Sequence, residues 1–471
     1  MDFKHNSIGQ WLKALAEFRQ TPESIAHHCI EKIQSLDSRV HAWEDFDGTE
    51  LLKAARGVSL RLAGGQPIRP LEAIPIGVKD IFNTADFPTQ MGSPLWAGFT
   101  PGNDARAVFN LKRAGGLVPG KTTTAEFAVH TLGSTLNPWA PERTPGTSSS
   151  GSAVAVAMGM VPAALGTQTA GSIVRPASFC GVWGMKPSFG LIPRTGMLKT
   201  TDSLDTVGFF ASHACDLGRL LDGFRVHGRD FPLSDRALND TVRQAPPTAR
   251  PWRVGLVRPH VWSQAPAYAR QAMNDWAAKL DADPRFEVVE AVLPPEMAES
   301  HDLHATIYNR SLAYYFQAEF RKSELVSPVM NDLIEAGQRI SPAEYAQALD
   351  RQVDLSRSME RFAGSYDVFV TLSTAGEAPL RQIEETPDSA LMWTLTHLPA
   401  ISAPVFKSPS GLPFGLQLVA RRYNDPLLLK FAAEAIERGH LPATSHLQRY
   451  GEPATLKVQP ALASAREPAL L

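Results

Sequence analysis

Apolar residues near the start of the chain recur at the spacing of amphipathic helices. Two groups show this spacing: Ile8, Leu12 and Leu15, then Ile25, Cys29, Ile33 and Leu36. The second group follows Thr21 and Pro22, and a threonine cap with proline at the first helical position is typical of a helix start. The spacing therefore predicts a short helix and then one of roughly four turns, both packed on the outside of the main body.

Further along, short apolar runs that suit buried strands alternate with segments of helical pattern. The predicted strands span residues 74–81, 117–118, 366–372 and 415–419, and the predicted helices span residues 106–114, 152–159 and 427–438. No long linker or internal repeat separates these elements. The alternation favours one α/β unit, although a length of 471 residues would by itself suggest about three domains.

The composition narrows the classes of partner and compartment. The chain has 46 basic and 48 acidic side chains, and its formal charge of −2 provides no basic field for nucleic acid or acidic lipid. Three cysteines cannot form a disulfide framework and match no paired zinc spacing. The start lacks a signal-peptide profile, and no apolar run reaches the ~18 residues of a membrane span. We therefore expect a cytoplasmic protein with no nucleic-acid or membrane partner.

One stretch, residues 144–174, is unusual. Its 31 successive residues carry no charge, and 20 of them are Gly, Ala, Ser or Thr. Disorder would need higher polarity, and a membrane span would need bulkier apolar residues. A dense serine cluster occupies residues 146–152, and a glycine-flanked serine, Ser172, follows near the end. Small residues around a serine let backbone N–H groups approach a bound carbonyl, as an oxyanion hole requires.

A serine hydroxyl is a weak nucleophile until a base takes its proton. The one obvious base on a buried strand is Lys79. In a desolvated, charge-free pocket, this lysine would lose affinity for its proton and could act as a base at neutral pH. From these residues alone, a Gly/Ser loop beside an unrelated lysine with a solvated tip explains the pattern equally well.

A competing motif spans residues 115–122 (GGLVPGKT), which formally match the phosphate-binding loop G-x-x-x-x-G-K-T. That loop needs a strand before its first glycine and a helix after Lys121 and Thr122. Here the first glycine ends a predicted helix, and strand-like residues lie inside the motif. The favoured interpretation is a connection between elements, with an ATP-binding protein as the alternative.

The histidines carry less information. His301 and His304 could share a helix face, but no third metal ligand follows at a fixed spacing. No G-x-S-x-G turn of a Ser-His-Asp hydrolase occurs either. We therefore predict neither a metal nor an organic cofactor.

Several segments together resemble the amidase signature enzymes, the family that includes the amidase subunit of the tRNA-dependent amidotransferases. Residues 146–153 (GTSSSGSA) resemble the family block G-G-S-S-G-G-S-A, and residues 164–172 (ALGTQTAGS) resemble A-L-G-T-D-T-G-G-S. Further matches are residues 75–80 (PIGVKD), similar to the strand with the family lysine, residues 180–187 (CGVWGMKP), similar to C-G-x-x-G-x-K-P, and the late motif at residues 398–402 and 411–417. The resemblance runs from residue 8 to residue 439.

The resemblance implies a single large α/β domain over residues 1–450, with a central mixed β-sheet covered by helices on both faces. It places the catalytic core at residues 70–215 and leaves residues 451–471 as a loosely ordered tail. The implied catalytic residues are Lys79 as the base, Ser148 as a bridging serine after a cis peptide bond, and Ser172 as the nucleophile. Ser148 lies 24 residues before Ser172, as the family pattern requires. The implied oxyanion hole is formed by the backbone N–H groups of Thr169, Ala170, Gly171 and Ser172.

Four departures from the family pattern accompany these matches. Gln168 replaces the usual aspartate, and Arg175 stands one place later than the arginine of G-S-I-R. If the family aspartate and arginine pair, this chain has lost that pair. Ala170 replaces a glycine of the oxyanion loop, while Thr147 and Ser150 replace glycines around the bridging serine. These changes remove no catalytic atom, but they bear on the substrate.

The predicted function is that of a free-standing amidohydrolase, which cleaves a linear amide C–N bond of a small molecule through an acyl-enzyme on Ser172. The alternative is the glutaminase-type amidase subunit of an amidotransferase complex, which we rank second because Gln168 and Ala170 depart from the pattern of that subunit. An inactive family member acting as a binding module is disfavoured, because Lys79, Ser148 and Ser172 are all present. A homodimer is left open.

The substrate class, whether aliphatic, aryl or carbamoyl, is also left open. The side chains predicted to line its pocket are Phe127, His130, Ser149 and Trp393, with Trp96 and Phe179 as further aromatic candidates. For the aromatic residues and His130, core packing is the favoured alternative.

Overall fold

Eleven strands form one continuous sheet in the computed structural model, which describes residues 1–445. In chain order they are β1 (Trp43–Phe46), β2 (Ile76–Lys79), β3 (Gly120–Thr122), β4 (Ala163–Gln168), β5 (Trp183–Lys186), β6 (Thr206–Ala211), β7 (Trp252–Leu256), β8 (Phe286–Glu290), β9 (Val368–Leu372), β10 (Ala400–Lys407) and β11 (Pro413–Val419). Their order across the sheet is β1-β3-β2-β4-β6-β5-β10-β11-β9-β7-β8. The sheet is mixed, because β2 is parallel to β3 and β4 whereas β6 is antiparallel to β4 and β5.

Helices flank this sheet. In chain order they are α1 (Ile8–Ala16), α2 (Pro22–Val40), α3 (Gly48–Ala63), α4 (Arg106–Arg113), α5 (Ser150–Ala157), α6 (Val174–Cys180), α7 (Leu217–Phe224), α8 (Pro232–Leu238), α9 (Ala267–Asp281), α10 (Ser300–Tyr315), α11 (Gln317–Phe320), α12 (Pro328–Arg339), α13 (Pro342–Ala363), α14 (Ala390–Leu395) and α15 (Asp425–Glu437). Within residues 1–445, no helix has the length and apolar character needed to cross a membrane. The predicted single α/β domain with a mixed sheet is confirmed.

Most predicted elements are present, with ends shifted by a few residues. The predicted cap of α2 is confirmed, since the Thr21 side chain accepts a hydrogen bond from the backbone of Ser24, but the helix runs for 19 residues and is longer than predicted. The prediction of a strand at residues 117–118 is wrong. Leu117 forms only an isolated bridge with Pro75, and Pro119, which has no N–H to donate, precedes the strand that begins at Gly120. The predicted tail at residues 451–471 lies outside the described residues.

The charge-free stretch contains one inner strand of the sheet, β4, and the helix α5 that packs on it. Every residue of β4 and α5 is buried, and β4 pairs with β2 on one side and β6 on the other. Small residues permit this close packing: a Cβ atom on Gly151 of α5 would lie 2.4 Å from the carbonyl oxygen of Ala42. The absence of charge therefore follows from burial on all sides.

Candidate active site

The carboxyl ends of β2 and β4 meet at one edge of the sheet, because these two strands are parallel neighbours. Lys79 is the last residue of β2, and Gln168 is the last residue of β4. The serine cluster leads into α5, which packs against both strands. The fold therefore brings Lys79, the serine cluster and the loop after β4 together.

The amine of Lys79 is fully buried and lies among three hydroxyl groups. Its Nζ atom is 2.8 Å from Ser148 Oγ, 3.0 Å from Ser149 Oγ and 3.0 Å from Thr167 Oγ1. Ser149 Oγ also donates to the carbonyl of Thr167 at 3.1 Å and accepts from its N–H at 3.2 Å. The Ser149 proton is thus engaged by the backbone, whereas Lys79 Nζ is the only partner of Ser148 Oγ within the described part of the chain.

The surroundings of Lys79 favour its neutral form. Burial holds the pKa of Lys79 well below its usual value, and the negative charge of Asp205 opposes this shift in part. The Asp205 carboxylate is itself occupied, accepting hydrogen bonds from Thr169 Oγ1 at 2.8 Å and from the backbone N–H of Thr200 at 2.8 Å. A neutral amine has a lone pair and can accept a proton from a hydroxyl group.

The peptide bond between Thr147 and Ser148 is cis, as the resemblance implied. One carboxylate, that of Glu385, holds this segment against the start of α6. It accepts from the backbone N–H and the hydroxyl of Thr147, both at 3.3 Å, and from the guanidinium of Arg175 at 2.7 Å. Thr147 directly precedes Ser148, and Arg175 lies three residues after Ser172, so Glu385 ties together the segments of both serines.

The loop from Thr169 to Ser172 is held by its carbonyl groups. The Thr169 carbonyl is 2.9 Å from His304 Nε2, and the Ala170 carbonyl accepts from Thr394 Oγ1 at 2.9 Å. The Gly171 carbonyl accepts from the N–H of Arg175 at 2.8 Å. Across residues 1–445, no protein group accepts a hydrogen bond from the four N–H groups of this loop. The loop therefore has donors available for a ligand, beside a Ser172 that is 8% exposed.

Gln168 and Arg175 do not pair with each other. This agrees with the expectation that the chain has lost the aspartate–arginine pair of the family pattern. Gln168 Oε1 instead accepts from the N–H groups of Ile173 and Val174, both at 2.9 Å, and its Nε2 donates to Thr394 Oγ1. Arg175 pairs with Glu385 at 2.7 Å and with Asp388 at 2.9 Å. The guanidinium therefore keeps carboxylate partners, supplied by the segment before α14.

A cleft of about 720 Å³ opens beside these segments. Thr147 and Arg175 line it, together with His130, Leu333 and residues 381–385 among others. Thr147 and Arg175 are both close in sequence to a predicted catalytic serine. The cleft thus lies next to the segments that carry Ser148 and Ser172, although neither serine is among its lining residues.

Of the residues predicted to line the pocket, His130 lines this cleft. Phe127 is fully buried with its ring 4.9 Å from that of Phe316, and Trp393 is fully buried and stacks on Phe369 at 5.9 Å. Their size and apolarity place them in the core, as the alternative interpretation held. Ser149 is engaged by Lys79 and Thr167 and does not line the cleft.

The two further aromatic candidates also lie elsewhere. Trp96 is half-buried against Phe99 and donates from Nε1 to Glu319 at 3.2 Å. Phe179 is buried in α6. Neither side chain lines the cleft.

The formal phosphate-binding motif is an internal structural element. Lys121 is fully buried, and its Nζ donates to the carbonyls of Phe82 and Pro88 at 2.8 and 2.9 Å. It also forms an ion pair with Asp80 at 3.1 Å. Lys121 and Thr122 belong to β3 instead of preceding a helix, so the lysine does not reach into a phosphate-sized loop.

His301 and His304 contact different parts of the structure. His304 is buried on α10 and supports the Thr169 carbonyl, while His301 packs its ring against that of His260. The described residues contain no group of three or more His, Cys, Asp or Glu side chains arranged to hold a metal ion.

Several residues of the site carried no signal in the sequence. Thr167 lies within a recognised block, but only the structure shows that its hydroxyl meets Lys79. Glu385 and Asp388 lie in a segment without a recognisable motif, more than 200 positions from Arg175. Thr394 and His304 likewise reach the loop from distant helices. Such contacts depend on the tertiary fold and have no local spacing.

Comparison with known proteins supplies a family. A family model described as Amidase matches residues 24–429. Two curated relatives are named as subunits of glutamyl-tRNA(Gln) amidotransferase. The one from Anaeromyxobacter sp. (strain K) is 31% identical over 88% of this chain and 92% of its own length, and the one from Synechococcus sp. (strain WH7803) is 31% identical over 90% and 96%.

Solved structures share the fold. One described as "Crystal structure of amidase" has a TM-score of 0.81 and 25% identity, and covers 92% of this chain and 100% of its own. The native peptide amidase from Stenotrophomonas maltophilia has a TM-score of 0.79 and 24% identity, and covers 94% and 98%. The curated relatives support the second-ranked alternative, a role within an amidotransferase complex, better than the free-standing enzyme that we ranked first.

Replacement of Lys79 by methionine should remove a pH-dependent part of the stability. Because the folded pKa of Lys79 lies below its usual 10.5, the unfolded chain binds this proton more tightly. The stability of the wild type should therefore rise with pH between the folded value and 10.5, by up to about 1.4 kcal/mol per pH unit relative to Lys79→Met. Urea unfolding at a series of pH values across this window measures the difference.

The control is Lys53→Met, which removes an exposed lysine of α3. Its stability should run parallel to that of the wild type. Parallel profiles for the wild type and Lys79→Met would contradict a buried amine that sheds its proton on folding.

Proposed function

Because the chain belongs to the amidase family, we propose that it hydrolyses an amide C–N bond through an acyl-enzyme on Ser172, with Ser148 and Lys79 as the proton relay. The observation that carries this proposal is the buried Lys79 Nζ, 2.8 Å from Ser148 Oγ and without a carboxylate within ion-pair distance in residues 1–445. A neutral lysine in that position can serve as a base.

The relay begins with the proton of Ser172. Ser172 Oγ attacks the amide carbonyl while its proton passes to Ser148, and the proton of Ser148 passes to Lys79 Nζ. Ser148 is preferred to Ser149 as the bridge, because Ser149 Oγ already donates to the Thr167 carbonyl. Ser149 and Thr167 instead accept hydrogen bonds from the amine and fix its orientation.

The tetrahedral intermediate places a negative charge on the former carbonyl oxygen. The unpaired N–H groups of Thr169, Ala170, Gly171 and Ser172 are the proposed donors to that oxygen, and one such donor contributes about 3 kcal/mol. Because the Thr169, Ala170 and Gly171 carbonyls are held by other groups, the loop need not rearrange as charge develops.

Collapse of the intermediate breaks the C–N bond. The leaving nitrogen receives its proton from Ser148, which is resupplied by Lys79, so that the amine departs neutral and Lys79 is neutral again. Water then attacks the ester carbon, gives a proton to the same relay and releases the carboxylic acid as Ser172 regains its proton. Each step conserves the one proton that the relay carries.

A second candidate is the amidase subunit of an amidotransferase complex, in which ammonia from a small primary amide passes to partner proteins. The likeness to two curated subunits over nine-tenths of their length favours it. Both candidates use the same acyl-enzyme chemistry and differ in the substrate and in the fate of the amine. A small-molecule amide as the substrate, and a cytoplasmic location, remain predictions for both.

Ser172→Ala should abolish covalent labelling and turnover. A fluorophosphonate probe should add its mass to the peptide that contains Ser172 in the wild type only, and amide hydrolysis should fall at least ~10³-fold in the variant. Labelling that persists in Ser172→Ala would contradict the nucleophile. ATP turnover that is lost in Lys121→Ala would favour the phosphate-binding alternative.

The variants Ser148→Ala and Ser149→Ala should distinguish the bridging serine from the serine that only holds the amine of Lys79. Loss of the bridging hydroxyl should lower kcat by ~10²–10⁴-fold, the usual range for acid–base groups. Loss of Ser149 should lower kcat less, because Thr167 still holds the amine, and should lower the stability through its two bonds to Thr167. Steady-state kinetics with thermal unfolding measures both effects, and a larger fall in kcat for Ser149→Ala would reassign the bridge.

The two candidates should differ in their need for partners. The free-standing enzyme should hydrolyse members of a panel of aliphatic, aryl and carbamoyl amides as the purified chain. The amidotransferase subunit should hydrolyse glutamine appreciably only after the other subunits of such a complex are added. Ser172→Ala, tested in parallel, identifies the hydrolysis that belongs to this site.

A further inference from the structure

A second cavity of about 720 Å³ lies apart from the catalytic cleft. Its walls come from α13, the turn after α14 and the segment after β11, together with Ser203 and Arg243. The two cavities share no lining residue. The second cavity is thus a separate site, which the proposed hydrolysis does not use.

The charge on the walls of this cavity is strongly positive. Four arginines line it, namely Arg243, Arg357, Arg361 and Arg422, against one acid, Glu360. Glu360 Oε1 is already engaged by Arg421, which lies outside the lining. Burial and the nearby charge of Arg421 both lower the pKa of Arg243. Arg243 lies 4.0 Å from Glu360 and Arg357 lies 3.6 Å from Asp354, whereas Arg361 and Arg422 have no carboxylate within ion-pair distance in residues 1–445.

Buried polar atoms at the same place have no partner. They are Arg422 Nε, Ser203 Oγ, Ser356 Oγ and Glu360 Oε2, each without a hydrogen bond in the described chain. Buried polar atoms in folded proteins are normally paired, because an unpaired one loses its hydration without replacement. All four residues also line the cavity, so its walls include polar side chains that the described protein leaves partly unpaired.

The other lining groups restrict what the ligand can be. His397 adds no charge, because burial, together with the charges of Arg422, Lys186 and Arg194, lowers its pKa to about 3. Leu349 and Val353 of α13 give the cavity an apolar wall. The site thus combines the positively charged guanidinium groups of its arginines with an apolar surface.

We propose that this cavity binds a small organic oxyanion, a phosphate or a carboxylate carried on an apolar group. The guanidinium groups of Arg422 and Arg243 hold the oxyanion, since an arginine fork matches both headgroups. The apolar group lies along Leu349 and Val353.

Isothermal titration calorimetry of the full chain with phenyl phosphate and with benzoate tests this site. We expect saturable binding of at least one of the two probes, and the tighter one identifies the headgroup. Phenol, which has the same ring without the charge, should not bind. Ser172→Ala should leave the affinity unchanged, because the catalytic cleft is separate.

Two variants act on the site in different ways, so that a folding defect in one does not decide the outcome. Arg422→Gln removes a guanidinium, and Ser356→Leu fills the cavity without changing its charge. Each should weaken binding by about tenfold or more, while Arg56→Gln on the exposed face of α3 should not. Absence of saturable binding by both probes, equal binding of phenol, or unchanged affinity in both variants would overturn the proposal.

Discussion

The structure depends on one constraint: an amine buried at the end of β2 has hydroxyl groups as its neighbours and, among residues 1–445, no paired carboxylate. Charged, this group would be costly to bury, and so the folded state favours its neutral form. That constraint explains the composition around it. Within residues 144–174, an acid would restore the proton to Lys79 and a base would repel it. The two parallel strands and α5 instead surround the amine with small neutral side chains.

A second buried lysine, on the strand next to β2, does have a carboxylate partner. Lys121 of β3 pairs with Asp80, the residue directly after Lys79. Burial raises the pKa of Asp80 to about 6, and the charge of Lys121 opposes that rise. The pair directs the nearest acid in sequence toward Lys121 and away from Lys79. The glycine-lysine-threonine motif that imitates a phosphate-binding loop thus contributes to the electrostatics of the proposed base.

The sequence was sufficient for the class of fold and for proposing Lys79, Ser148 and Ser172, but not for the contact of Thr167 with Lys79. Alternating patterns predicted most of the helices and strands, and the ordered blocks around Ser148 and Ser172 implied the family. It was insufficient for the pocket, where Phe127 and Trp393 proved to be core residues. Aromatic side chains near a motif suit a core and a cleft equally well, and only the packing of distant elements decides between them. Contacts such as Glu385 with Arg175 have no spacing that a single sequence reveals.

Glu385 has a consequence for how this enzyme could change its substrate. It lies in the segment 381–385 that lines the cleft, yet it also anchors the residue before Ser148 and the helix after Ser172. One short segment therefore contributes both to the surface of the cleft and to the alignment of the segments that carry the two serines. A loop exchanged from another amidase would bring a new binding surface, but the hybrid would retain its geometry only if the incoming loop also carried a carboxylate at this position. In this chain, the other residues of the segment can therefore be replaced with less effect on both serine segments than Glu385 itself.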